Sequence, residues 1–414
     1  MHHILAIALA LGCLVNATPI LAQFSDYKPS KLVGKPCPEI PLENYMLQGD
    51  LIAQADMYGR VVYIDFYQTG CPSCEKYGMP HAQELFEKYK DNPDVIVMVV
   101  NTAFEKDSRP FTADEAKTKD HLVKKGWTMP VARDKDERCI DEVFGQGTTS
   151  GLILDPSGVI RYHQVNLGDE KNIERIIEEQ IATLKDTDVP APYSTHVALA
   201  DTVRLIGEKD YGEALQSAKD VLEWEERALK ETDDKQAKDD EGAENFSNRN
   251  PKEAAKVVRH ARYLISLITN SFKRRCAHWT RLQTYDPPAS IPYGETIAET
   301  FRGVDPEFDA TAGLAGLATM TDEYKAFVAL DEEYQNALKQ YEKETTIKGG
   351  DASKSVALIK DIAERGKGTR IGDDAMAFLK NIGAATDTDA PSDKTNEADD
   401  SIPQEETENQ HSEK

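Results

Sequence analysis

The chain has 414 residues, of which 40% are hydrophobic, so it is long enough for two domains that each bury a core of their own. Its formal net charge is -24, which argues against nucleic acids and anionic lipid surfaces as partners, because both are bound through Lys and Arg. Six cysteines are too few for a disulfide scaffold in a chain of this length. Any thiol chemistry must therefore come from one or two pairs.

The first 22 residues have the pattern of a secretory signal peptide. The apolar run "ILAIALALGCLVNA" (4–17) is too short to span a bilayer comfortably, and small and polar residues follow it. Cleavage after Ala17 and cleavage after Ala22 both fit, and a lipoprotein signal ending at Cys13 is an alternative. No later segment is long and apolar enough for a membrane span. The sequence thus predicts a soluble, extracytoplasmic protein, periplasmic or secreted.

An α/β domain is predicted over residues 24–186. "VVYIDFY" (61–67) and "VIVMVVN" (95–101) are nearly continuous apolar runs, as in strands buried on both faces. Residues 151–165 contain two β runs joined by the turn sequence "DPSG", which indicates a hairpin. Residues 170–184 then carry Ile at helical spacing. This alternation predicts a sheet covered by helices.

The Pro-rich segment "KDTDVPAPYS" separates this part from a helical domain over residues 194–384. The pattern Tyr-x-x-Ala-Leu occurs at Tyr211 and again at Tyr334, inside helical stretches predicted over 205–228 and 321–344. The first occurrence resembles the second-helix start of a tetratricopeptide repeat, and two unrelated amphipathic helices are the alternative.

Two segments are too polar to build a core. Residues 231–250 are densely charged with one aromatic side chain, so they are predicted to form a mobile loop between helices. Residues 385–414 carry ten acids against two lysines, which predicts a disordered acidic tail. The folded part is therefore less acidic than the whole chain.

The stretch "YQTGCPSCEKYG" (67–78) contains the main chemical signal. Cys71 lies where a buried strand ends and a helical pattern begins, so helix N–H groups and the helix dipole would stabilise its thiolate. Such positions lower a cysteine pKa from about 8.5 to roughly 3.5–7.5. Cys74, one turn later, could resolve a mixed disulfide formed at Cys71. The pair is predicted to be redox-active.

Several ordered segments resemble the bacterial TlpA and ResA type of the thioredoxin-fold family. They are "VGKPCPEIPLENYM", "YGRVVYIDFYQTGCPSCEKYGMP", "VIVMVVN", "MPVARDKDE" and "GLILDPSGVIRYHQVNLGD". The resemblance extends over about 150 residues. The resemblance implies a thioredoxin-like α/β fold, with a central mixed sheet flanked by helices. It also implies electron exchange with protein disulfides outside the cytoplasm, an upstream electron donor or acceptor, and no cofactor.

The resemblance also implies roles for individual residues. Cys71 would be the attacking thiol and Cys74 the resolving thiol, with Asp65, inside the apolar strand, as the proton acceptor. A buried acid can serve in this way because desolvation raises its pKa. An exposed Asp65 at a strand end is the alternative. The residues predicted to contact substrate are Pro72, Ser73, Thr148 and Thr149.

Three positions depart from the family pattern. Gly70 stands where the family has Trp, and Pro80 follows the second cysteine by six residues instead of five. Thr149 stands at the position of the cis-proline that faces the cysteines, so substrate docking is expected to differ there. These departures support two alternatives. One is a degenerate thioredoxin-fold platform with a partner-binding helical domain, and the other is a copper or zinc carrier.

A carrier would use the Cys71 and Cys74 thiolates with a third ligand, for which His81 and His163 are candidates. A single Cys-x-x-Cys without a second pair is a weak metal signal, so no metal is expected.

Three further cysteines follow the signal-peptide segment. Cys37 and Cys139 could pair or act as a second redox relay, or they could be buried thiols. Cys276 is predicted to be packed, within a stretch, "FKRRCAHW", that could form a small basic patch on the helical domain.

Overall fold

The structure, a computed structural model, describes residues 30–40, 42–102, 115–134, 149–236, 250–308, 321–347 and 350–384. The predicted signal peptide (1–22) and acidic tail (385–414) lie outside the described residues. The chain divides into two compact units, Met1–Gln283 with Pro288–Ala318 and Thr284–Pro287 with Thr319–Lys414. This division falls inside the predicted helical domain and not at the Pro-rich linker.

A mixed sheet forms the centre of the first unit, and six of its strands lie in the described residues. They are β1 (Leu42–Gln48), β2 (Val61–Tyr67), β3 (Val95–Asn101), β4 (Val131–Asp134), β5 (Ser150–Leu154) and β6 (Ile160–Val165). Their order across the sheet is β1-β4-β3-β2-β5-β6. β2, β3 and β4 are parallel, whereas β1 and β5 join antiparallel to their neighbours. The structure confirms both predicted strands and the hairpin.

Every residue of β2 is buried, because both faces of the sheet are covered. Tyr63 and Tyr67 contribute to the core on one face of the sheet, and this core also contains both cysteines of the pair. Ile64 and Phe66 contribute to the core on the opposite face. Since side chains alternate along a strand, Asp65 shares the face of Tyr63 and Tyr67. The acid therefore lies on the same side of the sheet as the pair.

Four helices accompany the sheet. They are α1 (Gln54–Met57), α2 (Met79–Tyr89), α3 (Glu115–Lys125) and α4 (Glu170–Leu184). α4 has the predicted bounds, and its Ile173, Ile177 and Leu184 pack into the core on the same side of the sheet as the cysteine pair. A mixed sheet in this order, covered by helices that follow its strands, confirms the predicted thioredoxin-like fold.

α-Helices of eight or more residues follow the linker in the described part of the first unit. They are α5 (Ala200–Gly207), α6 (Tyr211–Gln236), α7 (Pro251–Tyr285) and α8 (Pro287–Thr300). The single helical stretch predicted over 205–228 is broken at Lys209, which has a φ of 63°. α6 reaches Gln236, so residues 231–236 are helical and not loop; residues 237–249 lie outside the described part.

The second unit contains α9 (Asp322–Thr346), α10 (Ser353–Arg365) and α11 (Arg370–Asn381). Tyr334 and Ala337 of the repeated sequence pattern are buried in its core, and Tyr211 and Ala214 occupy the core of the first unit in the same way. These contacts confirm helical packing, but they do not confirm a tetratricopeptide-like repeat. None of the helices in the described ranges has the length and apolarity needed to cross a membrane.

The basic side chains of "FKRRCAHW" do not form one open patch, because all of them except the exposed Lys273 lie against acidic partners. Arg274, 1% exposed, donates to Asp94 Oδ1 at 3.2 Å, and His278 Nε2 lies 2.9 Å from the same oxygen. Arg275 pairs with Asp188. The sequence did not show these pairs, because the partners are distant along the chain.

Aromatic side chains extend this contact between α7 and the α/β domain. Tyr193 stacks on Tyr263 with ring centroids 4.0 Å apart, and Tyr58 meets Tyr263 edge-on at 4.8 Å. The Tyr263 hydroxyl donates to the Ser157 carbonyl oxygen at 3.0 Å. These buried contacts explain why the first helices after the linker belong to the same compact unit as the sheet.

Candidate active site

The cysteine pair lies at the carboxyl end of β2, at the start of a helical segment. Cys71 is 8% exposed and Cys74 is fully buried, and both are present as thiols. The Cys74 N–H donates to Cys71 Sγ at 3.3 Å, and Ser73 Oγ shares a hydrogen bond with the same sulfur at 3.3 Å. The structure thus gives Cys71 a backbone donor and a hydroxyl, the groups that hydrogen-bond a thiolate.

The turn before the pair requires the glycine that replaces the family's Trp. Gly70 has a φ of 80°, in the left-handed region that side chains with a Cβ rarely adopt. Thr69 holds the turn from the other side, because its Oγ1 lies 2.9 Å from the Tyr67 hydroxyl and accepts from Asn101 Nδ2 at 3.2 Å. Gly70 is therefore explained by backbone geometry at the strand-to-helix junction.

A π-helical turn, Cys74–Gly78, connects the pair to α2. Its hydrogen bond runs from the Met79 N–H to the Cys74 carbonyl oxygen, and such an i→i+5 turn holds one residue more than an α turn. This accounts for the extra residue before Pro80, which still lies in the first turn of α2. The sequence showed the extra residue, but not how the helix accommodates it.

Asp65 is wholly buried and accepts three side-chain hydrogen bonds. Tyr63 and Asn166 donate to Oδ2, at 3.1 and 2.5 Å, and Thr149 Oγ1 donates to Oδ1 at 2.9 Å. Burial raises the pKa of Asp65 to about 7, the three donors oppose this rise, and the charge of Cys71 adds to it. The alternative of an exposed acid at a strand end is therefore wrong.

Two members of this network, Tyr63 and Asn166, were not predicted. Tyr63 precedes Asp65 by two residues on the same strand face, so strand alternation alone could have identified it. Asn166 follows β6 directly and is 101 residues from Asp65, and no local pattern marks it.

Thr149 does not occupy the role predicted for it. It is 0% exposed and its hydroxyl is directed at Asp65, so its side chain is not available for substrate docking. Pro72 is exposed and Ser73 half-buried beside Cys71, as a substrate-contacting position requires. Thr148 lies outside the described residues.

Gly78, the last residue of the π turn, lies close to Thr149. A Cβ at this position would lie 2.1 Å from Thr149 Oγ1 and 3.3 Å from Asp65 Oδ1. We expect Gly78→Ala to lower the free energy of unfolding by about 1–3 kcal/mol, the usual cost of overpacking. Without this clash, the same change in a helix would stabilise by up to about 1 kcal/mol.

Urea unfolding followed by tryptophan fluorescence measures this effect. Gly207→Ala is the matched control, because Gly207 is helical and a Cβ there would meet nothing within 4 Å. A Gly78→Ala protein at least as stable as the wild type would contradict the predicted clash.

The two candidate histidines lie on opposite faces of the sheet. His163 pairs with Leu152 in β5, which contributes to the core opposite the cysteines, whereas His81 of α2 lies on the cysteine side. Burial lowers the pKa of His163 to about 4 and also lowers that of His81. Within the described residues, no group of three or more His, Cys, Asp or Glu side chains could hold a metal ion. The position of His163 rules it out as a joint ligand with the pair.

The remaining described cysteines are poor nucleophiles. Burial raises the pKa of Cys37 to about 12, and burial with the nearby charge of Asp305 does the same for Cys276. Both are half-buried thiols. Cys139, which could pair with Cys37, lies outside the described residues.

The chain is similar to curated bacterial thiol-disulfide oxidoreductases. ResA of Bacillus thuringiensis (strain Al Hakam) is 29% identical over 177 residues, which are 42% of this chain and 86% of the relative. ResA of Geobacillus kaustophilus (strain HTA426) is 25% identical over 173 residues, 42% of this chain and 91% of the relative. These relatives support the predicted oxidoreductase activity. No protein-family model matches the chain.

Solved structures similar to the chain include a thiol-disulfide isomerase from Corynebacterium glutamicum. Its TM-score is 0.31 at 24% identity, and the match covers 37% of this chain and 97% of that one. The thioredoxin domain of a thiol-disulfide oxidoreductase from Bacteroides vulgatus has a TM-score of 0.28 at 21% identity, with 36% and 99% covered. Both matches cover less than half of this chain.

Proposed function

We propose that this protein is an extracytoplasmic thiol-disulfide oxidoreductase that exchanges electrons with protein disulfides through Cys71 and Cys74. The observation that carries the proposal is the pair at the start of a helical segment, with the buried Asp65 on the same side of the sheet. An attacking thiol, a resolving thiol and a proton acceptor are the groups that dithiol exchange needs.

In the reducing direction, the Cys71 thiolate attacks one sulfur of a protein disulfide. The new S–S bond joins Cys71 to the substrate while the substrate disulfide breaks and its other sulfur leaves as a thiolate. Cys74 then gives its proton to Asp65, and its sulfur attacks that of Cys71. The mixed disulfide breaks, the second substrate sulfur leaves, and two electrons have passed from the pair to the substrate. The reverse sequence oxidises a substrate dithiol.

The environment of Asp65 supports its role as the proton acceptor. An acid with a pKa of about 7 is partly ionised at neutral pH, so it can accept a proton from a thiol and release it again. Tyr63 and Asn166 fix the orientation of the carboxyl group. A partner-binding platform without redox chemistry would need neither this acid nor a thiol at a helix start, so the platform alternative is not favoured.

The proposed substrate is a protein disulfide or dithiol, and a second protein upstream supplies or removes electrons. Pro72 and Ser73 lie beside Cys71 where the substrate approaches. The helices after the linker would select the partner. The extracytoplasmic location rests on the signal-peptide pattern of residues 1–22, and no cofactor is needed because the pair itself carries the electrons.

Mixed-disulfide trapping tests the proposal. We expect Cys74→Ser to accumulate a covalent complex with a disulfide substrate such as insulin, because the resolving thiol is absent. Cys71→Ser should form no complex, because the attacking thiol is absent, and both variants should lose insulin reduction. Equal capture by the two variants would contradict these roles. If the wild type and Cys71→Ser were both folded and equally inactive, the proposed oxidoreductase activity would be contradicted.

A further inference from the structure

Thr149 lies between Asp65, the proposed proton acceptor, and the π-helical turn Cys74–Gly78, called the active-site helix below. Its hydroxyl donates to Asp65 Oδ1 at 2.9 Å, and its side chain is 0% exposed. On the other side it faces Gly78, four residues after Cys74, so closely that a Cβ there would lie 2.1 Å from Thr149 Oγ1. A hydroxyl wedged between a carboxylate and a helix turn has little freedom to leave either contact.

The two carboxyl oxygens of Asp65 accept hydrogen bonds from different side chains. Thr149 donates to Oδ1, while Asn166 and Tyr63 both donate to Oδ2. Asn166 Nδ2 also donates to the Tyr63 hydroxyl at 3.1 Å, so the Oδ2 contacts support each other. The hydroxyl of Thr149 therefore makes its own contact with the acid, at the other oxygen.

We propose that Thr149 is a positioning residue for the proton transfer: its hydroxyl orients Asp65 Oδ1 on the active-site-helix side and stabilises the ionised carboxylate that accepts the Cys74 proton. This inference rests on the proposed function and assigns Thr149 to the acid instead of to the substrate. A hydroxyl at the position where the family has cis-proline would thus tune the acid, a contact that a proline side chain cannot make.

The titratable groups that face Asp65 come from each element packed against it. They include Tyr63 on the same strand, Tyr162 on β6 and, on the segment with the cysteine pair, Cys71 and the proposed proton donor Cys74. Burial raises the pKa of Tyr63 and Tyr162 well above 10, so both stay neutral near pH 7.

Removing the Thr149 donor should increase the proton affinity of Asp65. Burial is the largest contribution to its raised pKa, and the hydrogen bond from Thr149 is the largest opposing contribution. A hydrogen bond donated to a carboxylate favours its ionised form, so loss of this bond moves the midpoint of the Asp65 titration to higher pH. We expect proton affinity to rise about tenfold in Thr149→Val, a midpoint about one pH unit higher.

The test is a pH titration of the reduced full-length protein by carbon-13 NMR with carboxyl-labelled aspartate. The Asp65 resonance is the one missing from Asp65→Asn. Thr149→Val should raise its midpoint, whereas Thr149→Ser, which keeps the hydroxyl, should stay within about twofold of the wild-type proton affinity. Thr202→Val is the matched control, because Thr202 is also fully buried and its hydroxyl is hydrogen-bonded, but to Ser217.

Unchanged midpoints in Thr149→Val would overturn the inference, and so would an equal rise in Thr149→Ser. If Thr149→Val does not fold, Thr149→Ala replaces it with the same expected rise. A second measurement follows mixed-disulfide resolution against pH, where the midpoint should rise by the same amount in Thr149→Val. The NMR midpoint needs no turnover, so failure of the Thr149 role is distinguishable from failure of the Cys71-dependent activity.

Discussion

The stability advantage of an Asp65→Asn variant over the wild-type protein should grow by about 4 kcal/mol between pH 4 and pH 8. Asp65 is wholly buried, and burial raises its pKa from the ordinary 3.8 to about 7. One pKa unit corresponds to about 1.4 kcal/mol, so the difference between folded and unfolded states is worth about 4 kcal/mol. Asn carries no titrating proton and is free of this pH dependence.

The sign follows from proton binding in the two states. Between pH 3.8 and pH 7 the unfolded chain has released the Asp65 proton while the folded protein still holds it. The unfolded state therefore binds fewer protons, and the Asp65 contribution to stability falls as the pH rises through this window. Below this pH window Asp65 is protonated in both states, and above it Asp65 is ionised in both. Its contribution to stability therefore does not change with pH outside the window.

Denaturant unfolding at several pH values measures this difference. Tryptophan fluorescence is a suitable probe, because all three tryptophans, Trp127, Trp224 and Trp279, lie in the first compact unit. Asp186→Asn controls for the removal of an exposed carboxyl group. A wild-type minus Asp65→Asn difference that does not change with pH would show that Asp65 titrates as an ordinary acid.

Arg274→Met is expected to lower the free energy of unfolding by about 3–5 kcal/mol, the usual cost of breaking a buried ion pair. The Arg274 side chain is 1% exposed, and its guanidinium donates to the carbonyl oxygens of Thr187 and Asp188, each at 2.9 Å, as well as to Asp94. Met would fill much of the volume but would leave both carbonyls without this donor.

Asp94 determines how large this loss is. Burial raises its pKa, but the hydrogen bond and charge of His278 together with those of Arg274 outweigh burial and lower it. Without Arg274, His278 remains as a partner of the carboxylate. The carboxylate is 14% exposed, so losing the arginine leaves a largely buried charge with one partner fewer.

The same fluorescence-detected unfolding tests this prediction. Arg262→Met is the matched control, because Arg262 lies on the same helix and pairs with Glu226 at 2.7 Å while 65% exposed. Exposed pairs contribute about 0–1 kcal/mol, so the control should be close to the wild type. Similar losses in both variants would mean that Arg274 does not join α7 to the α/β domain as described.

Much of the fold was predictable because local apolar patterns determine it. β2, β3 and α4 have the predicted bounds, since continuous apolar runs identify doubly buried strands and Ile at helical spacing identifies one packed face. The break at Lys209 was missed, although the polar run 207–210 interrupts the apolar spacing between Ile206 and Tyr211. Composition also misled the prediction for residues 231–236, which are charged but helical.

The candidate site was only partly predictable. Cys71, Cys74 and Asp65 could be identified because they lie on one strand-to-helix segment with characteristic spacing. Thr149 was identified by position but assigned to substrate, and Asn166 was missed. Both reach Asp65 across the sheet, 84 and 101 residues further along the chain.

The sequence by itself determined most strands and helices and identified Cys71, Cys74 and Asp65 as candidate site residues, because strand alternation, helix periodicity and motif spacing are properties of neighbouring residues. Only the tertiary structure decided what surrounds them: which donors hold Asp65, which face His163 occupies, and that Arg274 joins α7 to the sheet domain. Those outcomes depend on β-strand pairing and on side chains far apart in the chain, which no local pattern encodes.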